Sequence, residues 1–360
     1  MNKKLIAAAI AAAVAAPVAS AADTTLYGKA HLSIQSNDFG NGGENYTLNS
    51  NASRIGIKGS EDLGDGLKVI FGYEMGYEMS HGGRSPWGYV NNVTGEKEYA
   101  ASFLTARNSY LGLSGGFGTI LAGRHDTPMK IAFYAAGNDN MVDTVADFNK
   151  IGFTERRLNN AIAYVSPNFS GLTVAAAIVP GEGSKITSSD IFHIKGDAGE
   201  SPAVTAGNGY KPSEKDKAHH LSDAYSLGMM YAGGGLKAGA GYEVATSDFT
   251  GGADDLKTWQ VGASYTLGDI TLGAQYENNS GLMESDIWGI SGKVNFGNNY
   301  VVVNYGEKDP DGGNNDVTAF GFGVGHKFSK RTQVYAAYGD QDDDAGGDAN
   351  AFALGMIHTF

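Results

Sequence analysis

The sequence predicts an all-β chain closed as an antiparallel transmembrane barrel of about sixteen strands. Three observations carry that reading. Short segments that alternate apolar with polar residues fill the chain almost end to end. Trp259, Val261, Ala263, Tyr265 and Leu267 interleave with Thr258, Gln260, Gly262, Ser264 and Thr266, so one face is greasy and aromatic and the other small or polar. The links between these segments alternate between tight and long, as they do in barrels with short periplasmic turns and long external loops. After the first residues, no apolar run reaches the ~18 residues of a membrane helix, in keeping with a mean hydropathy of −0.24. A chain that crosses lipid without helices must do so as a closed sheet, because only helices and closed barrels pair every backbone polar group there.

The N-terminus sets the compartment. Lys3 and Lys4 precede an apolar stretch from Leu5 to Ala16, Pro17 interrupts it, and Ala19-Ser20-Ala21 fits a small-x-small cleavage site. Residues 1–21 therefore read as a secretory signal peptide and residues 22–360 as a single barrel domain.

Strands are expected near 25–36, 52–60, 67–79, 106–115, 118–125, 158–166, 171–180 and 224–233 in the first half. They continue near 236–246, 257–267, 270–278, 286–296, 300–307, 317–328, 332–340 and 350–360. Each is near the ~9–11 residues that cross a bilayer at a tilt. Gly116–Phe117, Gly268–Asp269 and Gly297–Asn299 are among the tight links; 37–51, 80–105, 126–157 and 181–223 are among the long ones. The expected lipid face carries Ile270, Leu272, Ala274 and Tyr276, then Trp288, Ile290, Val294 and Phe296, then Phe320, Phe322, Val324 and Phe328. None of these positions is charged; an Arg or Lys there would cost roughly 2–4 kcal/mol at mid-bilayer. Segments 106–115 and 332–340 can be phased either way.

Cysteine is absent, so ladders and burial must hold the fold without disulfides. Glycine is 53 of 360 residues while proline is only 8, which argues against a disordered linker composition. Many glycines lie inside strand patterns, as Gly321, Gly323 and Gly325 do, and on an inner wall they leave room for water or for a folded-in loop. Removing Lys3 and Lys4 leaves 24 basic against 39 acidic side chains, a net −15, which excludes nucleic-acid binding through a basic surface. Acid runs such as Asp342 to Asp344 read as solvated loops, with divalent-ion bridging to anionic lipid head groups as the sharper alternative.

Three motifs carry no chemistry. Gly112-Leu113-Ser114-Gly115-Gly116 fits G-x-S-x-G, but a strand pattern rather than a helix follows, so it reads as a tight turn. His219-His220 lacks a second cluster at ligand spacing, and Asp309-Pro310-Asp311-Gly312 lacks the spaced acids of a calcium loop. No catalytic constellation, metal site or cofactor is expected. A barrel with a wet interior is a pore.

Further residues carry a resemblance. Thr25-Leu26-Tyr27-Gly28-Lys29 opens the first strand, and Ser53-Arg54-Ile55-Gly56-Ile57-Lys58-Gly59-Ser60-Glu61-Asp62-Leu63-Gly64-Asp65-Gly66 spans the second strand and its turn. Arg107-Asn108-Ser109-Tyr110-Leu111-Gly112-Leu113 and Ala122-Gly123-Arg124 follow, and the chain stops on Phe360. In this order and spacing they resemble the trimeric general porins of the Gram-negative outer membrane.

That resemblance implies a homotrimer of sixteen-stranded barrels in outer-membrane lipid and lipopolysaccharide, each with a channel for small hydrophilic solutes and ions. It implies that the third external loop, about 126–157, folds inward and narrows the channel. It also implies that basic wall side chains face acidic loop side chains. The basic positions carry over as Lys29, Arg54, Arg107 and Arg157, with Arg124 nearby; Arg156 beside Arg157 leaves the choice within that pair open. The loop lacks the proline-glutamate-phenylalanine-glycine signature of enteric members, so Asp139, Asp143, Asp147 and Glu155 are acidic candidates by location only. Phe360, with Phe352, Leu354 and Met356, matches the family's signal for the outer-membrane insertion machinery.

Opposed charges across a narrow wet gap orient water, favour small polar solutes and bias ion entry. The net charge points to weak cation selectivity, against which four or five wall cations must be set. The rival readings are a substrate-specific sugar or anion channel and a barrel acting as an adhesin through its long loops.

Overall fold

The structure, a computed structural model, describes residues 23–40, 43–80, 104–181, 220–247, 254–281, 284–312, 316–344 and 347–360, and two short paired strands, Tyr89–Val90 and Lys97–Glu98. The expected signal peptide lies outside the described residues, as does His219.

Sixteen barrel strands follow one another in chain order. β1 is Asp23–Asp38, and β2 is built in two pieces, Glu44–Ser50 and Arg54–Gly64. Then come β3 (Leu67–Tyr77), β4 (Leu104–Gly115), β5 (Gly118–Asp126), β6 (Arg157–Val165), β7 (Leu172–Val179) and β8 (Ala224–Gly233). The second half comprises β9 (Leu236–Ala245), β10 (Leu256–Leu267), β11 (Ile270–Gly281), β12 (Ser285–Phe296), β13 (Asn299–Pro310), β14 (Val317–Lys327), β15 (Thr332–Asp343) and β16 (Ala349–Thr359). Each strand pairs antiparallel with the next. The sheet closes where β1 meets β16, from Lys29 opposite Thr359 to Asp38 opposite Asn350. Gly28 and Phe360 then exchange both backbone hydrogen bonds at 3.1 Å, extending that seam to the last residue. Closure leaves no edge strand exposed.

The two faces separate as the alternation predicts. Along β10, Leu256, Thr258, Gln260, Gly262 and Ser264 are buried, while Trp259, Val261, Ala263 and Tyr265 are exposed. The exposed phase continues through Leu272 of β11, Ile290 and Phe296 of β12, and Phe322 of β14. Trp259 lies 5.2 Å from Tyr276, and Trp288 lies 5.7 Å from Tyr305, centroid to centroid. The segments of open phase resolve the same way, with Leu111 and Leu113 of β4 and Tyr338 of β15 on the exposed face.

Two features differ from the sequence reading. The stretch 37–51, expected as a loop, contains the first piece of β2, which pairs with Leu32–Asp38 of β1. Ala52 at φ 49° breaks the strand, and the second piece pairs with Asp23–Lys29 lower on β1. The sheet also reaches further at its long-loop end, β11 running to Gly281 and β13 to Pro310, because their polar residues find ladder partners there. Gly115 and Gly118 pair around the tight turn at 116–117, as expected for the G-x-S-x-G stretch.

Between β5 and β6 lies an ordered segment. Helix α1, Pro128–Ala135, begins because the Thr127 side chain accepts from the Lys130 amide and Pro128 presets the first turn. Gly137, at φ 72°, follows its end. A short 3-10 turn, Phe148–Ile151, is capped by Asp147 and stopped by Gly152 at φ 101°. Phe133, Phe148 and Phe153 pack on Ile151, Ile287 and Ala319, joining α1, the turn and the barrel wall in one apolar cluster.

Candidate functional site

Residues 127–156 lie against the polar phase of the wall, and most of the hydrogen bonds that hold them there come from side chains of that phase. Gln260 Nε2 donates to the Met129 carbonyl at 2.8 Å, and Ser264 Oγ donates to the Ala136 carbonyl at 2.6 Å. Asn304 Nδ2 donates to the Ala146 carbonyl at 2.8 Å. Glu277, fully buried, accepts from the Thr154 amide at 2.9 Å and the Thr154 hydroxyl at 2.6 Å. Glycine makes the close approach possible. A Cβ on Gly239 would overlap the Ala132 carbonyl oxygen, and one on Gly339 the Val145 carbonyl oxygen. A Cβ on Gly321 would crowd Ala146, and one on Gly323 would meet the end of the Met141 side chain.

The basic residues singled out from sequence gather on the early strands. Lys29 Nζ meets Asp143 Oδ2 at 2.8 Å, joining β1 to the segment. Arg54 stands directly across the ladder from Lys29. The Arg107 Nε donates to Glu74, whose second oxygen accepts from the Tyr27 hydroxyl at 3.1 Å. Arg157 pairs with Asp126 at 2.8 Å and donates to Asn108 at 2.7 Å. Arg124 donates to Asn159 Oδ1 and to the Ala106 carbonyl, and so rests on uncharged oxygens. The ladder slips between Tyr73 and Met75 and between Gly123 and His125. Such irregularities re-aim side chains, and they bring Arg107, Arg124 and Arg157 near one another.

The acidic candidates divide. Only Asp143 meets a predicted wall cation. Glu155 accepts from the Tyr134 hydroxyl at 2.7 Å and from Asn149, and pairs with Lys130 at 3.1 Å; Lys130 in turn reaches Asp126 at 3.4 Å. Asp147 accepts from the Asp143 amide at 2.6 Å and the Asn149 amide at 2.8 Å. Burial, then Glu155 and Asp143, push the Asp147 carboxyl up to about 6. Burial, then Asp147 and Glu155, hold Asp139 well above the usual carboxylate range. Arg156 and Arg157 take different partners. Arg156 forms a buried pair with Glu243 at 2.8 Å, while Arg157 pairs with Asp126.

Sequence reasoning missed Glu74, Asp126, Lys130, Glu243 and Glu277. Strand phase could have flagged Glu277, which falls in register with Gln275 and Gly273 on the polar face. The partner each acid takes follows from where the segment lands, which no local pattern encodes. Among the described residues, no group of three or more His, Cys, Asp or Glu side chains could hold a metal ion.

Residues 7–346 match the family model described as Gram-negative porin. The chain belongs to the Gram-negative porin family. Among its relatives, the major outer membrane protein P.IA of Neisseria meningitidis serogroup B is 27% identical over 423 residues, covering 100% of both chains. The major outer membrane protein P.IB of the same species is 28% identical over 387 residues, again with 100% of both chains covered. The solved anion-selective porin from Comamonas acidovorans superposes with a TM-score of 0.70 at 19% identity, covering 94% of this chain and 100% of that one. The Salmonella typhi OmpF structure, solved in complex with daunomycin, gives a TM-score of 0.64 at 15% identity, covering 94% and 97%. This porin is thus an outer-membrane channel rather than an enzyme. Its aromatic and aliphatic face meets lipid and its polar face lines the barrel interior.

Proposed function

We propose that this porin passes small hydrophilic solutes and ions by passive diffusion, and that residues 127–156 fold into the lumen as its constriction. The observation that carries the reading is the anchoring of that segment by Gln260, Ser264, Glu277 and Asn304, all on the polar phase. Lys29, Arg54, Arg107, Arg124 and Arg157 form the basic side of the narrow zone; Asp143 forms the acidic side, with Asp139, Asp147 and Glu155 behind it. Weak cation selectivity follows from the acidic balance of the processed chain and from carboxylates that offset most of the wall cations. Three barrels associate in outer-membrane lipid and lipopolysaccharide after removal of residues 1–21. Phe360, whose ring lies over Gly28 at the closing seam, is read by the insertion machinery.

Liposome swelling with sugars of graded size tests the proposal. Entry rates that fall smoothly with size are expected, and one sugar entering while smaller sugars are excluded would contradict non-specific diffusion. Reversal potentials in a potassium chloride gradient test the selectivity, and a clear anion preference would contradict it.

A further inference from the structure

A cavity of about 320 Å³ opens near the long-loop end of the barrel, between β1, β2, β15, β16 and the segment 127–156. Its wall is unlike the charged zone beside it. Gln35 and Asn37 of β1, Asn45, Thr47 and Asn49 of β2 and Asn51 after it present neutral amides and a hydroxyl in one patch. Asn37 Nδ2 donates to Asn45 Oδ1 at 2.9 Å and to Thr47 Oγ1 at 3.1 Å, and Asn49 Nδ2 donates to Thr47 Oγ1 at 2.9 Å. Asn51 and Gln35 both donate to Ser33 Oγ at 2.8 Å. These bonds fix the side chains in place and leave one polar atom of each amide outside them. The amide oxygens of Asn37, Asn49, Asn51 and Gln35 and the amide nitrogen of Asn45 take part in none of them.

An amide offers two donors and two acceptor sites with no net charge, which is the complement of a ring bearing several hydroxyls. The exposed Phe39 ring at the rim supplies an apolar face for the C–H side of such a ring. The volume lies at the small end of ligand-binding cavities. Asp143, Asp340 and Lys150 border the cavity, and Asp143 is already paired with Lys29, so the remaining acid and base offset each other and the site carries little bias toward an ion of either sign.

The geometry points to a saccharide subsite here, one that holds a neutral mono- or disaccharide ahead of the constriction. This rests on the channel reading above, and the test separates the two. The purified protein is placed in a planar bilayer in potassium chloride, sucrose is added on the long-loop side, and glycerol serves as a viscosity control. Sucrose is expected to lower the current along a saturating curve with added current noise, while glycerol lowers it linearly. Asn37→Ala, Asn49→Ala and the shape-conserving Thr47→Val are each expected to raise the half-saturating sucrose concentration by about three- to tenfold, the loss of one hydrogen bond. A current that falls with sucrose only as viscosity requires would overturn the subsite. So would saturation that the three variants leave unchanged. A bilayer that stays silent in salt alone would overturn the channel reading itself.

Discussion

Lys29 Nζ lies 2.8 Å from Asp143 Oδ2, and this pair ties the first barrel strand to a segment more than a hundred residues later in the chain. Both side chains are nearly buried, at 11% and 8% exposure, so the pair is only weakly screened by solvent. A hydrogen bond to a charged group in such a place contributes about 1.5–3 kcal/mol. Lys29→Met and Asp143→Asn are each expected to loosen the segment, giving a larger and noisier single-channel conductance. Asp143→Asn should also move the reversal potential toward anions. Conductance indistinguishable from the parent protein in both variants would remove this pair from the constriction.

Backbone contact between wall and segment is a separate anchor. Gly239→Ala and Gly339→Ala each place a methyl group where a carbonyl oxygen of the segment now sits. Overpacking of this kind costs about 1–3 kcal/mol. The segment should shift while the ladder stays intact, since neither glycine has a positive φ. Thermal unfolding in detergent is expected at a lower temperature, with faster proteolysis between residues 127 and 156. Equal protease resistance in the variants and the parent would contradict the packing argument.

The arginines should not behave alike. Arg107 and Arg157 each contact a carboxylate, whereas Arg124 contacts amide and carbonyl oxygens. Arg124→Gln removes a positive charge that no contacting acid offsets, so a clear shift toward cation selectivity is expected. Arg156→Gln should act on stability instead, because it leaves Glu243 buried without its partner, a loss of about 3–5 kcal/mol. Reversal potentials and denaturant midpoints measured on both variants check this division of roles.

The segment's carboxyls are expected to make the channel sensitive to pH. Asp147 is held at about 6 and Asp139 well above its usual range, with Asp143 and Glu155 as the charged neighbours. A carboxyl raised in this way binds its proton more tightly folded than unfolded. Its stabilising share is complete below about pH 4 and is lost as pH rises through about 6. The segment should therefore be held more firmly at pH 5 than at pH 7.5, and the reversal potential should move toward anions on acidification as a negative charge of the segment is neutralised. Asp147→Asn is expected to flatten both trends. Selectivity in that variant that still follows pH between 5 and 7.5 as the parent does would assign the effect to other groups.

Much of this fold is legible in the sequence because a barrel strand repeats every two residues and its two solvents differ sharply. Trp259, Val261 and Tyr265 against Thr258, Gln260 and Ser264 fix the phase of β10 without reference to any neighbour. Glu44–Ser50 was unreadable for the opposite reason. Two of its inward residues, Asn45 and Asn49, are turn formers, and only Tyr46 and Leu48 mark the outer phase. The basic wall residues came from the family motifs rather than from strand phase. Lys29 and Arg54 stand opposite each other across the ladder. The convergence of Arg107, Arg124 and Arg157 depends on two ladder slips, and the partners Glu74 and Asp126 on register between strands. Helix α1 carries its own start and stop, Thr127-Pro128 and Gly137, yet it sits inside a stretch that loop length alone labelled irregular.

We propose that water fills the polar side of this closed sheet and that residues 127–156 narrow the passage. Single-channel recording of the purified protein in a planar bilayer decides this, comparing the parent with Asp143→Asn in the same salt. Long-lived, ohmic conductance steps are expected in the parent and larger steps in the variant. A parent protein that inserts without conducting, or steps of identical size in the two, would contradict it.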